Sequence, residues 1–171
     1  MTTRTEISKL GEFGLIEHLT QNMPLKNAET LKGVGDDAAV LDYKDKQVLV
    51  TTDLLLEGVH FDLTYVPLKH LGYKSAVVNF SDIYAMNGQP KQITVSIGLS
   101  KRFSVEDMEE LYSGIRLACD VYGVDLVGGD TSASLTGLAI SITCIGEAAK
   151  EEIIATNQEI YEITGIYPEW I

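Results

Sequence analysis

Positive charge is scarce in this chain. Thirteen Lys and Arg stand against 25 Asp and Glu, giving a formal net charge of −12 and a pI near 4.5. Phosphate backbones are held by clustered cations, so no nucleic-acid partner is expected. The acidity is compatible with a protein that takes up Mg²⁺ and then a phosphorylated small molecule, because bound metal reverses the local sign. Ordinary surface charge for solubility accounts for it equally well. Cysteine is nearly absent: Cys119 and Cys144 stand in apolar periodic segments, without C-x-x-C spacing. They read as buried free thiols in a reducing, cytoplasmic compartment. No apolar run is long enough to span a bilayer, so no membrane partner is expected. The opening residues lack the apolar stretch of a signal peptide. There is no G-x-x-x-x-G-K-[ST], which excludes a P-loop. Internal repeats and low-complexity segments are absent as well.

What is present is apolar content sufficient for a core, 45 % over 171 residues, which suggests one domain or one domain with a remnant of a second. Ile7 to Met23 reads as a helix stopped by Pro24, and 24–32 as a polar connection. Gly33 to Asp37 reads as a turn into a short strand, Ala38 to Leu41. A charged turn over Asp42 to Lys46 leads to a second strand, Gln47 to Thr52, and Leu54 to Leu63 reads as a loop. Pro67 to Asn87 is the strongest helix. Leu68, Leu71, Ala76, Phe80, Ile83 and Met86 recur at helical spacing, Val77 and Tyr84 widen the apolar face, and Asn87-Gly88 is a stop signal. Ile93 to Leu99 alternates as a strand. Ser104 to Tyr122 is a second helix, with Ser104 and Asp107 in capping-box positions. Strands follow at Val124 to Val127 and Leu138 to Gly146. The order αββαβαββ predicts an α/β (α+β) fold, a mixed β-sheet with two long helices covering one face.

The chemistry concentrates in four short segments. Leu49 to Phe61 begins as an apolar β-branched run and delivers Thr51, Thr52 and Asp53. Gly33-Val34-Gly35-Asp36-Asp37 and Gly128-Gly129-Asp130-Thr131 pair glycines with aspartates, and Asn79-Phe80-Ser81-Asp82 places a carboxylate inside an apolar helix. Asp is disfavoured in a helix interior, which gives Asp82 particular weight. Asn79 and Asp82, three apart, share a face of that helix. Carboxylate and hydroxyl oxygens suit Mg²⁺, and glycines let backbone amides approach a phosphate. Each aspartate alone is also an ordinary turn residue; it is their recurrence at element ends that predicts convergence on one metal and phosphate site. Four gathered carboxylates would repel one another unless a cation sat between them. Gly33 to Ala38 matches G-x-G-x-x-A, but it follows a polar connection and opens a strand, so the dinucleotide reading is rejected. His60 either contacts a substrate phosphate or is a loop histidine without a role.

Together, GVGDDAAVL, LVTTDLLLEGVHF, NFSDIYAMNGQP and DLVGGDTSAS resemble the N-terminal domain of the thiamine-monophosphate kinases, within the aminoimidazole-ribonucleotide-synthetase-like superfamily. The resemblance runs from about Gly11 to about Ala149, and Gly-Glu-Phe-Gly-Leu-Ile at Gly11 to Ile16 favours the thiamine branch over related synthetases. It implies transfer of the γ-phosphoryl group of ATP to the phosphate of thiamine monophosphate. It further implies several Mg²⁺ ions held by Asp37, Thr51, Thr52, Asp53, Asp82 and Asp130, a substrate contact at His60, and a nucleotide contact at Gly129 and Asp130. A homodimer through the sheets of two N-terminal domains is also implied. Phosphoryl transfer needs positioning and charge neutralisation rather than a covalent nucleophile, and no nucleophile stands out.

The resemblance stops near Lys150. Residues 1–150 are expected to form an ATP- and Mg²⁺-binding dimerisation domain, and 151–171 an atypical tail in place of the family's second domain. No Arg follows Arg116, so the family's ATP-contacting arginine has no counterpart. A truncated kinase is the expectation. The alternatives are a non-catalytic Mg²⁺- and nucleotide-binding dimerisation module, or another phosphotransferase of the superfamily.

Overall fold

Along Lys46–Leu56 every second residue turns inward: Gln47, Leu49, Thr51 and Leu55 are buried and Asp53 is half-buried, while Lys46, Thr52, Leu54 and Leu56 are exposed. This is the period of a strand with one covered face. The structure, a computed structural model, describes residues 30–32, 38–149 and 153. In chain order these form β1 (Thr30–Lys32), β2 (Ala39–Tyr43), β3 (Lys46–Leu56), α1 (Leu68–Ala85), β4 (Gln89–Leu99), α2 (Val105–Tyr122), β5 (Asp125–Ala133) and β6 (Leu138–Ala148).

The six strands make one sheet in the order β1-β2-β3-β6-β4-β5. Every neighbouring pair is antiparallel except β4 and β5, which are parallel. β6 lies between β3 and β4, which therefore run the same way. Parallel strands need crossover connections; α1 carries the chain from β3 to β4 and α2 from β4 to β5. Both helices cover the same face. Leu71, Ala76, Phe80 and Ile83 of α1 and Leu111 and Ile115 of α2 join Leu49, Ile93, Val95, Ile140 and Ile142 of the sheet in one core. The expected mixed sheet under two long helices is what the chain forms.

The helices touch through glycines. A Cβ on Gly72 would meet the Leu111 carbonyl oxygen at 2.0 Å, and one on Gly114 would meet that of Lys69 at 1.9 Å, so neither position accepts a side chain without separating the helices. The capping box is formed: the Asp107 N–H donates to Ser104 Oγ at 3.2 Å, and the Ser104 N–H donates to Asp107 Oδ2 at 2.8 Å. Such a cap stabilises a helix by about 1 kcal/mol.

The expected elements differ from the structure in several places; β2 runs on to Tyr43, β5 to Ala133 and β6 to Ala148. Thr30–Lys32, read as polar connection, is an edge strand on β2 whose three residues are too few to show a period. Leu54–Leu56, read as loop, continues β3; Leu54 and Leu56 face the uncovered side, so the sequence lacks the apolar–polar alternation of a half-buried strand although burial still alternates. β4 begins four residues early, at Gln89, with Pro90 beside a register irregularity that accommodates its missing N–H. Tyr84, assigned to the buried face of α1, is 40 % exposed. The helix expected over Ile7 to Met23, the turn at Gly33 to Asp37 and nearly all of the 151–171 tail lie outside the described residues.

Candidate metal and phosphate site

The junction of β3 with α1 is built from polar groups inside an apolar core. Thr51 and Asp53 point toward α1 by strand alternation; Asn79 and Asp82 meet them from one face of the helix. Thr51 Oγ1 donates to Asp82 Oδ2 at 2.8 Å, and the Asp53 N–H donates to Asn79 Oδ1 at 3.1 Å. Asn79 is fully buried and also donates through Nδ2 to the Ser75 carbonyl at 3.0 Å. These pairings place Asp82 beside Thr51 and Asn79 beside Asp53, two residues or roughly 7 Å further along the strand.

The donors here are all oxygens, two carboxylates and a hydroxyl, the set that suits a hard divalent cation. Asp53 supplies the test of fit. Partial burial pushes its carboxyl above the ordinary value of 3.8, and His60 is the opposing influence. A cation at this carboxylate would favour the charged form that burial disfavours. Among the described residues no three His, Cys, Asp or Glu side chains converge. These carboxylates could therefore hold an ion together with substrate phosphate oxygens and water, as Mg²⁺ sites commonly do. Asp37 lies outside the described residues.

A cleft of about 220 Å³ opens beside this junction, lined by Asp53, Leu54, Leu55, His60, Lys74 and Val78. His60 Nδ1 accepts the Leu56 N–H at 2.9 Å, which leaves Nε2 as the ring's available donor. Lys74 Nζ donates to the His60 carbonyl at 3.2 Å. His60 thus stands at a cleft next to Asp53, rather than in a loop remote from the carboxylates.

Two expected ligands lie elsewhere within the chain. Thr52 is on the uncovered face, where its hydroxyl donates to the Ile142 carbonyl at 3.1 Å and accepts from Thr143 Oγ1 at 3.1 Å. Asp130 is on β5, three strand positions from β3, or roughly 14 Å at ordinary spacing. Gly128, Gly129 and Asp130 do not form a loop; they continue β5 in parallel register with Thr94, Val95 and Ser96. Gly129 runs so close to β4 that a Cβ would meet the Val95 carbonyl oxygen at 1.8 Å. Every residue of β5 is exposed. A second cleft, about 500 Å³, is lined by Gly128, Gly129, Asp130 and Thr131 together with Tyr112 of α2. Partial burial raises the Tyr112 hydroxyl above its ordinary value of 10.0.

Sequence reasoning passed over Lys74 and Tyr112. Their signals were faint: Lys74 falls four and eight residues before Val78 and Asp82, one row along a helix, and Tyr112 falls four residues after Met108, where an aromatic reads as one more apolar-face residue of α2.

Fold and site together define a class: a two-layer α/β domain that presents carboxylate and hydroxyl oxygens at a strand–helix junction and a glycine-bearing cleft at its sheet edge. The chain belongs to the AIR synthase related protein family, N-terminal domain, whose family model matches residues 35–148. It is 38 % identical over 144 residues to the thiamine-monophosphate kinase of Aquifex aeolicus (strain VF5), covering 84 % of this chain and 44 % of that protein. To the thiamine-monophosphate kinase of Bacillus subtilis (strain 168) it is 34 % identical over 161 residues, 91 % of this chain and 49 % of that protein. The solved structure of AaThiL complexed with AMPPCP and TMP aligns with a TM-score of 0.78 at 34 % identity, over 90 % of this chain and 47 % of that one. The chain spans about half the length of the curated relatives it matches.

Proposed function

We propose that this chain is the N-terminal, metal- and nucleotide-holding part of a thiamine-monophosphate kinase, an enzyme that moves the γ-phosphoryl group of ATP onto the phosphate of thiamine monophosphate. The observation that carries the reading is the Thr51–Asp82 and Asp53–Asn79 pairing, which holds β3 against α1 where the Asp53 carboxylate enters a cleft and Asp82 stands beside Thr51. Similarity to the two kinases, across 84 % and 91 % of this chain, supports it. Asp53, Asp82 and Thr51 hold Mg²⁺ with Asp37; Thr52, on the opposite sheet face, and Asp130, three strands away, would serve further Mg²⁺ ions rather than this one. Bound Mg²⁺ supplies charge neutralisation for the phosphates. The protein's own part is to fix orientation: Asn79 anchors the β3 backbone at Asp53, and His60 offers Nε2–H to an acceptor phosphate. Gly129 and Asp130 form the nucleotide contact, with Tyr112 as an aromatic wall for the base.

The same reading assigns residues 1–150 to the ATP- and Mg²⁺-binding dimerisation domain and 151–171 to a tail outside it, in a cytoplasmic protein with no nucleic-acid or membrane partner. The uncovered sheet face, with Leu54 at 53 % and Tyr43 at 60 % exposure, seats a second copy to form a homodimer. Among the described residues no helix is long and apolar enough to cross a membrane. One observation favours a second reading, a non-catalytic module that binds Mg²⁺ and nucleotide: within one chain the Asp53 and Asp130 clefts are three strands apart.

The test is ATP-dependent formation of thiamine diphosphate from thiamine monophosphate with Mg²⁺, using this protein and its Asp53→Asn variant. Turnover that falls at least 100-fold in the variant supports the kinase reading. Nucleotide binding without turnover in a folded sample supports the module instead.

A further inference from the structure

We propose that Lys74 is the residue by which the Asp53–His60 cleft recognises a phosphate monoester and distinguishes it from the corresponding alcohol; the proposal rests on the kinase reading above. Lys74, Val78 and Asp82 fall at i, i+4 and i+8 of α1, one row on the helix surface. At one end of the row Asp82 accepts from Thr51. At the other, the Lys74 ammonium reaches across to the His60 carbonyl at 3.2 Å. Eight residues of helix separate the two ends by roughly 12 Å, and the cleft takes its walls from the Lys74 and Val78 part of the row together with Asp53 and His60.

One end of this cleft is therefore anionic and suited to a metal ion; the other is cationic. The side chain of Lys74 is exposed, and among the described residues no carboxylate lies within salt-bridge distance of it. An ammonium has three donors. The one spent on a neutral carbonyl leaves two for a ligand, and the same bond ties Lys74 to the turn that carries His60. A phosphate monoester placed here meets metal on one side and Lys74 with the His60 Nε2–H on the other. The alcohol meets the same walls with nothing for the ammonium to bind. Hydrogen bonds between ionised partners are about twice as strong as neutral ones, so Lys74 adds a share of the preference for the ester beyond that of the metal and His60. The role is recognition and positioning, and the transferred group never bonds to the lysine.

Isothermal titration calorimetry with the 171-residue protein, in Mg²⁺ and saturating AMPPCP, tests this with thiamine monophosphate and thiamine as paired probes. The expected result is binding of the monophosphate at least tenfold tighter than thiamine in the unaltered protein, a ratio that drops to within about threefold in Lys74→Met and recovers in Lys74→Arg. AMPPCP affinity, measured first, should be unchanged in both variants, which separates a recognition defect from a folding defect. A ratio kept in Lys74→Met overturns the proposal and leaves the kinase reading standing. Absence of any preference in the unaltered protein, including failure to bind either probe, overturns the proposal and removes the acceptor from the kinase reading.

Discussion

The two clefts of this domain are built in opposite ways. At the β3–α1 junction the chemistry is anchored in the core: Asn79 is fully buried, Thr51 nearly so, and both use side-chain hydrogen bonds to tie strand to helix. At the β5 edge every residue of the strand is exposed; the cleft exists because Gly129 lets the strand lie against the Val95 backbone, and because Tyr112 lines its other side. In the first region a candidate site group is also a structural one. In the second, the cleft depends on close backbone approach, and little of the fold depends on it. Substitutions should therefore separate the regions, with global stability moving in one and ligand binding in the other.

The largest stability effect is expected at Asn79. Asn79→Leu keeps the bulk but removes the acceptor for the Asp53 N–H, leaving that backbone donor unsatisfied in a part-buried site, while the Ser75 carbonyl loses its side-chain bond and keeps the helix bond. Orphaning such groups costs about 2–3 kcal/mol. In a domain of this size that lowers Tm by roughly 5–10 °C, read by calorimetry in metal-free buffer. A Tm within 2 °C of the parent would erase the contrast between the clefts.

Gly129→Ala probes the other region. The added Cβ collides with the Val95 carbonyl, so β5 must move off β4. The strand carries little of the core, and its Leu126 and Val127 are already 45 % and 59 % exposed. AMPPCP affinity in Mg²⁺ should fall more than tenfold by titration calorimetry, with a smaller Tm loss than Asn79→Leu. The reverse ranking would mean that the edge strand supports the fold and that its cleft is incidental.

This difference also explains what could be read from sequence. Asp82 and Asn79 were legible because a carboxylate and an amide inside an otherwise apolar helix oppose the helix's own pattern, and such residues need a partner. The helices themselves were legible from their period, and the Ser104 cap from its spacing to Asp107. The placement of Thr52 against Thr51 was not resolved. Neighbours on a strand point to opposite faces, and the reading gathered both by sequence proximity. The Asp130 segment was legible as a glycine-aspartate motif but not as a strand, because glycines signal turns. Only the register with Thr94 to Ser96 shows that it continues the sheet. Lys74 escaped because a single cation on an exposed helix face has no pattern to oppose.

The smallest expected effect sharpens the account of the buried region. Cys144 pairs in register with Thr51 and is fully buried. Burial first, then the Asp82 carboxylate, then Cys119, push its thiol up to about 12 from an ordinary 9.0. A group whose folded value is raised contributes stability that is fully present below its unfolded value and is lost as pH rises through the folded one. The stability tied to Cys144 therefore holds below pH 9 and drains away between 9 and about 12. Cys119, also raised by burial, adds loss of the same sign, so Cys144→Ala should flatten the alkaline decline only in part. The measurement is Tm from pH 8 to 10.5 for the parent and the variant, comparing slopes so that the cavity left by the substitution cancels. Parallel slopes would mean that the thiol does not sense Asp82 and the low-dielectric core behind it, and that the β3–α1 junction is wetter than its hydrogen bonds imply.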